Sequence, residues 1–438
     1  MELNFAILIL ITGLLSVWIY TRTRGEILSC AFFSLSTHFI AALFLCTVSI
    51  LYWRISITID TVLVLTLGLL SITTAELLAQ YKYRHKVLNN QPVYKEIKIR
   101  YCNILLLVYI VAALLYFRSV LQVGASLGFH DLSAIGEVKE NMSIGEKMNP
   151  IVRQMYKVIN AANYIHAFIF AHNVFLAKKS WNGQCKHLLP FITAIFVTFA
   201  SGGRVDIFKE IVAVIFIFYM VFREAGKWEH LYLYKIIKYT IPLMVTFLIF
   251  FHAVSLIVKS NANERDKSTF FEYIAYYTGS PIQVLNLKLD DNEDRWTYKA
   301  FGYQTLSGIY NLFGYEDPKE KTIGSGMIPL GGFSDTGGNA MTLIGRLYFD
   351  FGLFGMSIFL FITYYLFARY YYKYILNTYC SYKRNQRLIL YTFCYTSIIV
   401  LAFYDSCYWI FLSTTGLLTL LILFIMYKIY FRLLFVKK

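Results

Sequence analysis

Residues 339–371 read NAMTLIGRLYFDFGLFGMSIFLFITYYLFARYY, a run of about 33 residues in which no charge falls between Asp350 and Arg369. At about 1.5 Å per residue a single helix of that length overshoots the ~30 Å hydrocarbon core of a bilayer. The run therefore divides near Gly352 and Gly355 into an outer amphipathic turn and a membrane span. Arg346 and Asp350 stand four apart and share a helix face at that boundary, either as an isolated ion pair or as part of a site.

Long apolar runs closed by bases recur along the chain. Of 438 residues, 58% are hydrophobic and 15% charged, against roughly 25% charged in an ordinary soluble domain. A secreted, disordered or nucleic-acid-binding globule is excluded, and the sequence reads as an all-α polytopic membrane protein. Windows of about 19 residues give eleven candidate transmembrane helices, near 4–20, 27–52, 58–80, 101–122, 156–177, 187–202, 205–222, 238–258, 350–372, 387–404 and 409–431. Only Ser201-Gly202-Gly203-Arg204 separates the sixth from the seventh. The opening Met1-Glu2-Leu3-Asn4 lacks the basic region of a cleaved signal peptide, so the first run is expected to stay as an anchor. The seven cysteines are scattered singly, with no disulfide framework and no zinc spacing.

The net charge of +15 is mainly a topology signal. Twenty-four of the 41 Lys and Arg crowd into short segments after alternate spans, among them Lys95, Lys98 and Arg100, Lys178 and Lys179, and Lys383, Arg384 and Arg387. Those ends face the cytoplasm by the positive-inside rule, which leaves the N-terminus outside and the C-terminus inside. The long segment 259–349, where acids outnumber bases, then lies outside. Three regions follow: 1–258 with eight spans, 259–349 as a large outer loop, and 350–438 with three spans.

A structureless loop of that length would be unusual, so order is expected in it. STFFEYIAYYTGSPIQVLNLKL (268–289) looks like one amphipathic helix, a Gly-Ser-Pro break and a second helix. GSGMIPLGGFSDTGGNAMT (324–342) supplies tight turns or a mobile connector. Tyr276, Tyr277, Trp296, Tyr298 and Tyr303 either stack on sugar rings or pack the loop itself.

Four arginines fall at predicted outer ends: Arg118, Arg153, Arg204 and Arg346. Each alone reads as a headgroup anchor, but four on the leaflet where bases are sparse point to an anionic group, with a lipid diphosphate the foremost candidate. Arg204 follows two glycines at a helix start, where free backbone N–H groups favour an anion, and Asp206 would orient or neutralise it. Glu76, Asn160, Asn163 and His166 sit within spans, as functional groups or as interhelical hydrogen-bond partners. His38 and His252 have no visible partner. No P-loop, GxGxxG, HExxH or nucleophile elbow occurs, and the acidic stretch 290–294 reads as solvated, so neither nucleotide nor metal is indicated.

The Gly202-Gly203-Arg204 turn, YYTGSP (276–281) and GNAMTLIGRLYFDFGLFG (338–355), with this span count and loop, resemble the Wzy-type oligosaccharide repeat-unit polymerases that build O-antigen and capsular polysaccharide. The motifs cover about three dozen residues, the layout most of the chain. What the resemblance implies is a GT-C-like glycosyltransferase of the bacterial inner membrane with a large, partly helical periplasmic loop. Such an enzyme joins repeat units carried on undecaprenyl diphosphate: a hydroxyl of the incoming unit attacks the anomeric carbon of the growing chain and lipid diphosphate leaves. It needs no nucleotide sugar, metal or other cofactor. Its partners would be undecaprenyl-diphosphate-linked glycans, membrane lipid, a chain-length regulator and a flippase, with no nucleic acid. On that resemblance Arg204 and Arg346 would hold the diphosphate, supported by Arg118 and Arg153. Asp350 or Asp206, with His166 behind them, would deprotonate the acceptor hydroxyl. Tyr276, Tyr277 and Asn339 complete the substrate-binding candidates. The rivals are an O-antigen ligase of similar architecture, a non-enzymatic flippase or transporter for lipid-linked glycans, and an exporter component or receptor without chemistry.

Overall fold

The structure, a computed structural model, describes residues 2–83, 92–128, 135, 138, 148–228, 270–291, 298–315, 328–330, 337–338, 340–399, 402–403 and 407–433. Its helices are α1 (Glu2–Arg22), α2 (Cys30–Val48), α3 (Ile59–Tyr83), α4 (Cys102–Ser126), α5 (Pro150–Ala171), α6 (Leu189–Ala200) and α7 (Arg204–Ala225). They continue with α8 (Phe270–Asp290), α9 (Tyr303–Leu312), α10 (Leu343–Tyr370), α11 (Tyr382–Ile399), α12 (Cys407–Leu412) and α13 (Thr414–Lys428). The exception is a two-residue antiparallel pairing of Ile328–Pro329 with Gly337–Gly338, within the Gly-rich stretch. Among the described residues six helices are long and apolar enough to cross a membrane: α1, α2, α3, α4, α10 and α13, counting the turns that extend them. Leu10, Leu14, Leu63, Leu107 and Leu114 stand exposed along them. A soluble protein would cover such apolar rows, whereas lipid leaves them at no cost. The chain is an all-α membrane protein.

The chain forms two compact units. The first takes Met1–His85, Glu264–Tyr374 and Ser397–Leu417; the second takes Lys86–Asn263, Ile375–Thr396 and Leu418–Lys438.

In the first unit α10 packs along α3, and α8 along α2. Glycines set both approaches: a Cβ on Gly68 would stand 2.8 Å from Ile344, and one on Gly279 2.9 Å from the Leu45 Cβ. Gly279 is thus a contact point with α2 and not a break. α8 runs unbroken through Pro281, where the sequence predicts two helices, and the glycine-mediated packing outweighs the N–H bond that proline forfeits. α10 does break where expected: Gly352 has φ 65° and ψ −176°, outside the helical region. Two polar bonds fix the helix pairs, Ser34 to Tyr364 at 2.6 Å and Tyr371 Oη to the buried Glu26 at 2.9 Å. Glu76 also proves structural in its contacts. Its carboxylate accepts from Ala31 N at the start of α2.

In the second unit α4, α5, α6 and α7 pack on one another, and Phe216 of α7 meets Tyr391 and Tyr395 of α11 with tilted rings. α6 has 12 residues, about 18 Å, so it is shorter than the predicted sixth span. The predicted span 238–258 lies outside the described residues. Near the C-terminal end of α7, Glu224 binds Arg384 at 3.4 Å, Tyr94 Oη at 2.5 Å and Cys380 N at 2.6 Å. Burial, reinforced by this carboxylate, pushes the Tyr94 hydroxyl and the Cys380 thiol above their ordinary pKa values.

Candidate functional site

The Gly-Gly-Arg turn joins α6 to α7. Gly202 has φ 68°, a left-handed geometry that glycine adopts without strain. The amides of Ser201, Gly202 and Gly203 return to Val197, Phe199 and Thr198 and close α6. At Gly203 a Cβ would meet Asp206 Oδ2 at 2.9 Å, so this position must be small for the carboxylate to fold back over the turn. Arg204 opens α7; its side chain lies outside what the structure describes. Asp206 in the first turn favours the helix dipole, and its Oδ1 takes Lys209 Nζ at 3.1 Å.

One turn deeper the seam between α7 and α5 becomes buried. Glu210 is 6% exposed, and its Oε2 accepts from Asn163 Nδ2 at 2.6 Å. α5 starts at Pro150 behind an Asn149 cap, whose Oδ1 accepts from Ile151 N. Its positions 156, 160 and 163 fall on one helical face, which meets α7. Among the described residues, Asn160 Oδ1 and Asn163 Oδ1 are buried without a hydrogen-bond partner. An unfilled buried acceptor of this kind costs about 1–3 kcal/mol. Tyr156 lies within electrostatic reach of Asp206 and Glu210, and its ring centroid is 5.6 Å from that of Tyr116 on α4. Tyr116 in turn lies close to Ser201.

These contacts place three of the four singled-out arginines at one end of the second unit. Arg118 follows Tyr116 by two residues and is exposed, Arg153 lies in the first turn of α5 and is exposed, and Arg204 begins α7. The seam therefore runs from the end of the second unit that carries Arg153 and the start of α7, past Asp206 and Lys209, to Asn160, Asn163 and Glu210. Its buried acceptors can take up hydrogen-bond donors.

Other candidates lie elsewhere. His166 sits in a buried chain at the opposite end of the helices: Nδ1 to His187 Nδ1 at 3.0 Å, Nε2 to Tyr430 Oη at 3.0 Å, and Tyr430 on to Tyr109. Both of its ring nitrogens are engaged there. Arg346 and Asp350 belong to the first unit, where they fasten α9. Asp350 accepts from Gln304 N at 3.2 Å and Thr305 N at 2.6 Å, while Arg346 Nη1 donates to Gln304 O at 3.2 Å. Asp350 thus caps a helix N-terminus with both oxygens, which opposes a part as base. Beside them Lys288 of α8 is pushed down to about 8 by burial and by the nearby Arg346 charge. Tyr276 and Tyr277 are half-buried and meet edge to face at 5.2 Å. Asn339, Trp296 and His252 lie outside the described residues. Sequence reasoning passed over Lys209 and Glu210. The signal was present, since two adjacent charges interrupt the apolar run of α7. Among the described residues no three His, Cys, Asp or Glu side chains are grouped to hold a metal ion. Compared with protein families, with curated proteins and with solved structures, the chain matches none.

Proposed function

We propose that the protein is a polysaccharide polymerase that joins undecaprenyl-diphosphate-linked repeat units at the periplasmic face of a bacterial inner membrane. In this reading the chain has eleven spans in a GT-C-like bundle, a periplasmic N-terminus and a cytoplasmic C-terminus. The observation that carries it is the seam of the second unit, which has the positions of Arg118, Arg153 and Arg204 at one end and buried acceptors farther in. A diphosphate leaving group gains negative charge as the glycosidic bond forms. Cations already fixed where that charge develops lower the barrier, and removing one such donor costs about 10²–10³-fold in rate. Arginine suits the task because its planar fork can bind two phosphate oxygens at once.

The test uses a strain deleted for this gene and complemented with variants. Arg204→Ala is expected to abolish long glycan chains while single lipid-linked units and protein level stay normal, and Arg204→Lys to restore them in part. Normal chain lengths in Arg204→Ala would overturn the reading. A deletion strain whose lipid A core carries no repeat unit at all, where a polymerase mutant leaves one, would assign the protein to ligation instead.

A further inference from the structure

Polymerisation requires a group that takes the proton of the attacking hydroxyl, and the structure narrows the choice. Asp350 spends both oxygens on α9, His166 both ring nitrogens on His187 and Tyr430, and Asp206 is paired with Lys209. Glu210 is held on one side only: Oε2 accepts from Asn163, and the second oxygen accepts no hydrogen bond among the described residues. On the same seam Asn160 Oδ1 and Asn163 Oδ1 find no donor among the described residues, and Tyr156 precedes them by one and two turns on the same face of α5. Unfilled acceptors beside an aromatic ring suit a ligand that brings several O–H donors and a flat apolar face, which is the chemistry of a sugar ring.

We infer that the α5–α7 seam binds the acceptor sugar and that Glu210 is the catalytic base for its attacking hydroxyl, an assignment that rests on the polymerase reading. The hydroxyl proton passes to the open oxygen of Glu210 while the hydroxyl oxygen forms its bond to the anomeric carbon. The bond from that carbon to the diphosphate breaks, and its electron pair leaves on the phosphate oxygen among the arginines. Glu210 then releases the proton to water. Asn163 is a positioning residue that fixes the carboxylate.

The test uses the full-length protein, reconstituted in vesicles with lipid-linked repeat units extracted from the deletion strain. Glu210→Gln keeps an oxygen for Asn163 but removes the base. Elongation should fall at least ~100-fold, in the range that general-base catalysis contributes, with unchanged melting temperature and unchanged retention of the extracted units on tagged protein. Glu210→Asp should recover part of the rate. Asn160→Leu, which replaces an unfilled acceptor, should raise KM for the units and leave kcat close to wild type. Elongation by Glu210→Gln within threefold of wild type overturns the base while the polymerase reading stands. Loss of melting temperature or of retained units along with the rate makes Glu210 structural and also overturns it. If the wild-type chain elongates nothing, both proposals fall.

Discussion

The amides of Gln304 and Thr305 point at Asp350 from the first turn of α9, and this capping has a measurable weight. Asp350→Ala should destabilise the protein by about 0.5–2 kcal/mol, the usual range for a lost N-cap, whereas Asp350→Asn, which still offers an acceptor, should lose less. Thermal melts in detergent decide it, and activity should fall only as far as folded protein does. Glu224 carries more. It is fully buried, and Arg384 beside it is 3% exposed. Glu224→Ala strands that guanidinium, at a cost of about 3–5 kcal/mol, while the double change with Arg384→Met should regain most of it. Monodisperse yield in detergent reads both. The Arg346–Asp350 pair was legible from its spacing of four, yet its purpose was not, because the α9 amides it holds come from a segment more than forty positions earlier with no periodic link to it. Glu210 was visible as a charge inside an apolar run. Its partner Asn163 belongs to another helix, which no local pattern joins to it.

Helix limits followed the apolar runs where bases or turns close them. The predicted 4–20, 58–80 and 101–122 fall inside α1, α3 and α4 or within a residue of them, because the same runs that partition into lipid also form the helices. Glycines were harder to read, since one residue type serves opposite ends. Gly352 breaks α10 with φ 65° and ψ −176°, a backbone region nearly confined to glycine, so Gly352→Ala should cost about 1–3 kcal/mol. Gly279 breaks nothing. A Cβ there would lie 3.1 Å from the Leu45 Cα, a backbone atom that cannot step aside, so Gly279→Val should separate α8 from α2. A cysteine pair across these helices, Leu45→Cys with Thr278→Cys, would report that separation as slower cross-linking in the valine background. Local composition announces a glycine but not whether its missing side chain serves a bend or a neighbour.

At the scale of the molecule, on the proposed topology, a phosphatase reporter fused after residue 300 should be active outside the cytoplasm and one fused after residue 180 inactive; the reverse would invert every assignment of sides. Sequence order suggested eight spans, a loop and three spans. The compact units instead draw on separated pieces, the first uniting Met1–His85 with Glu264–Tyr374 and Ser397–Leu417. Hydropathy marks which residues enter a membrane but not which of them meet, so this partition was not legible. It has a consequence for biosynthesis. The longest face of α3 is covered by α10, which the ribosome does not begin until residue 343, and the final pieces of the two units meet at the single step from Leu417 to Leu418 within α13. The early helices must therefore wait in the bilayer, half-partnered, through most of translation, and a nascent chain halted at residue 374 leaves both halves unfinished. A ribosome stalled at residue 342, before α10 is made, should expose α3 to an insertase or a membrane protease, and synthesis of α10 should withdraw it.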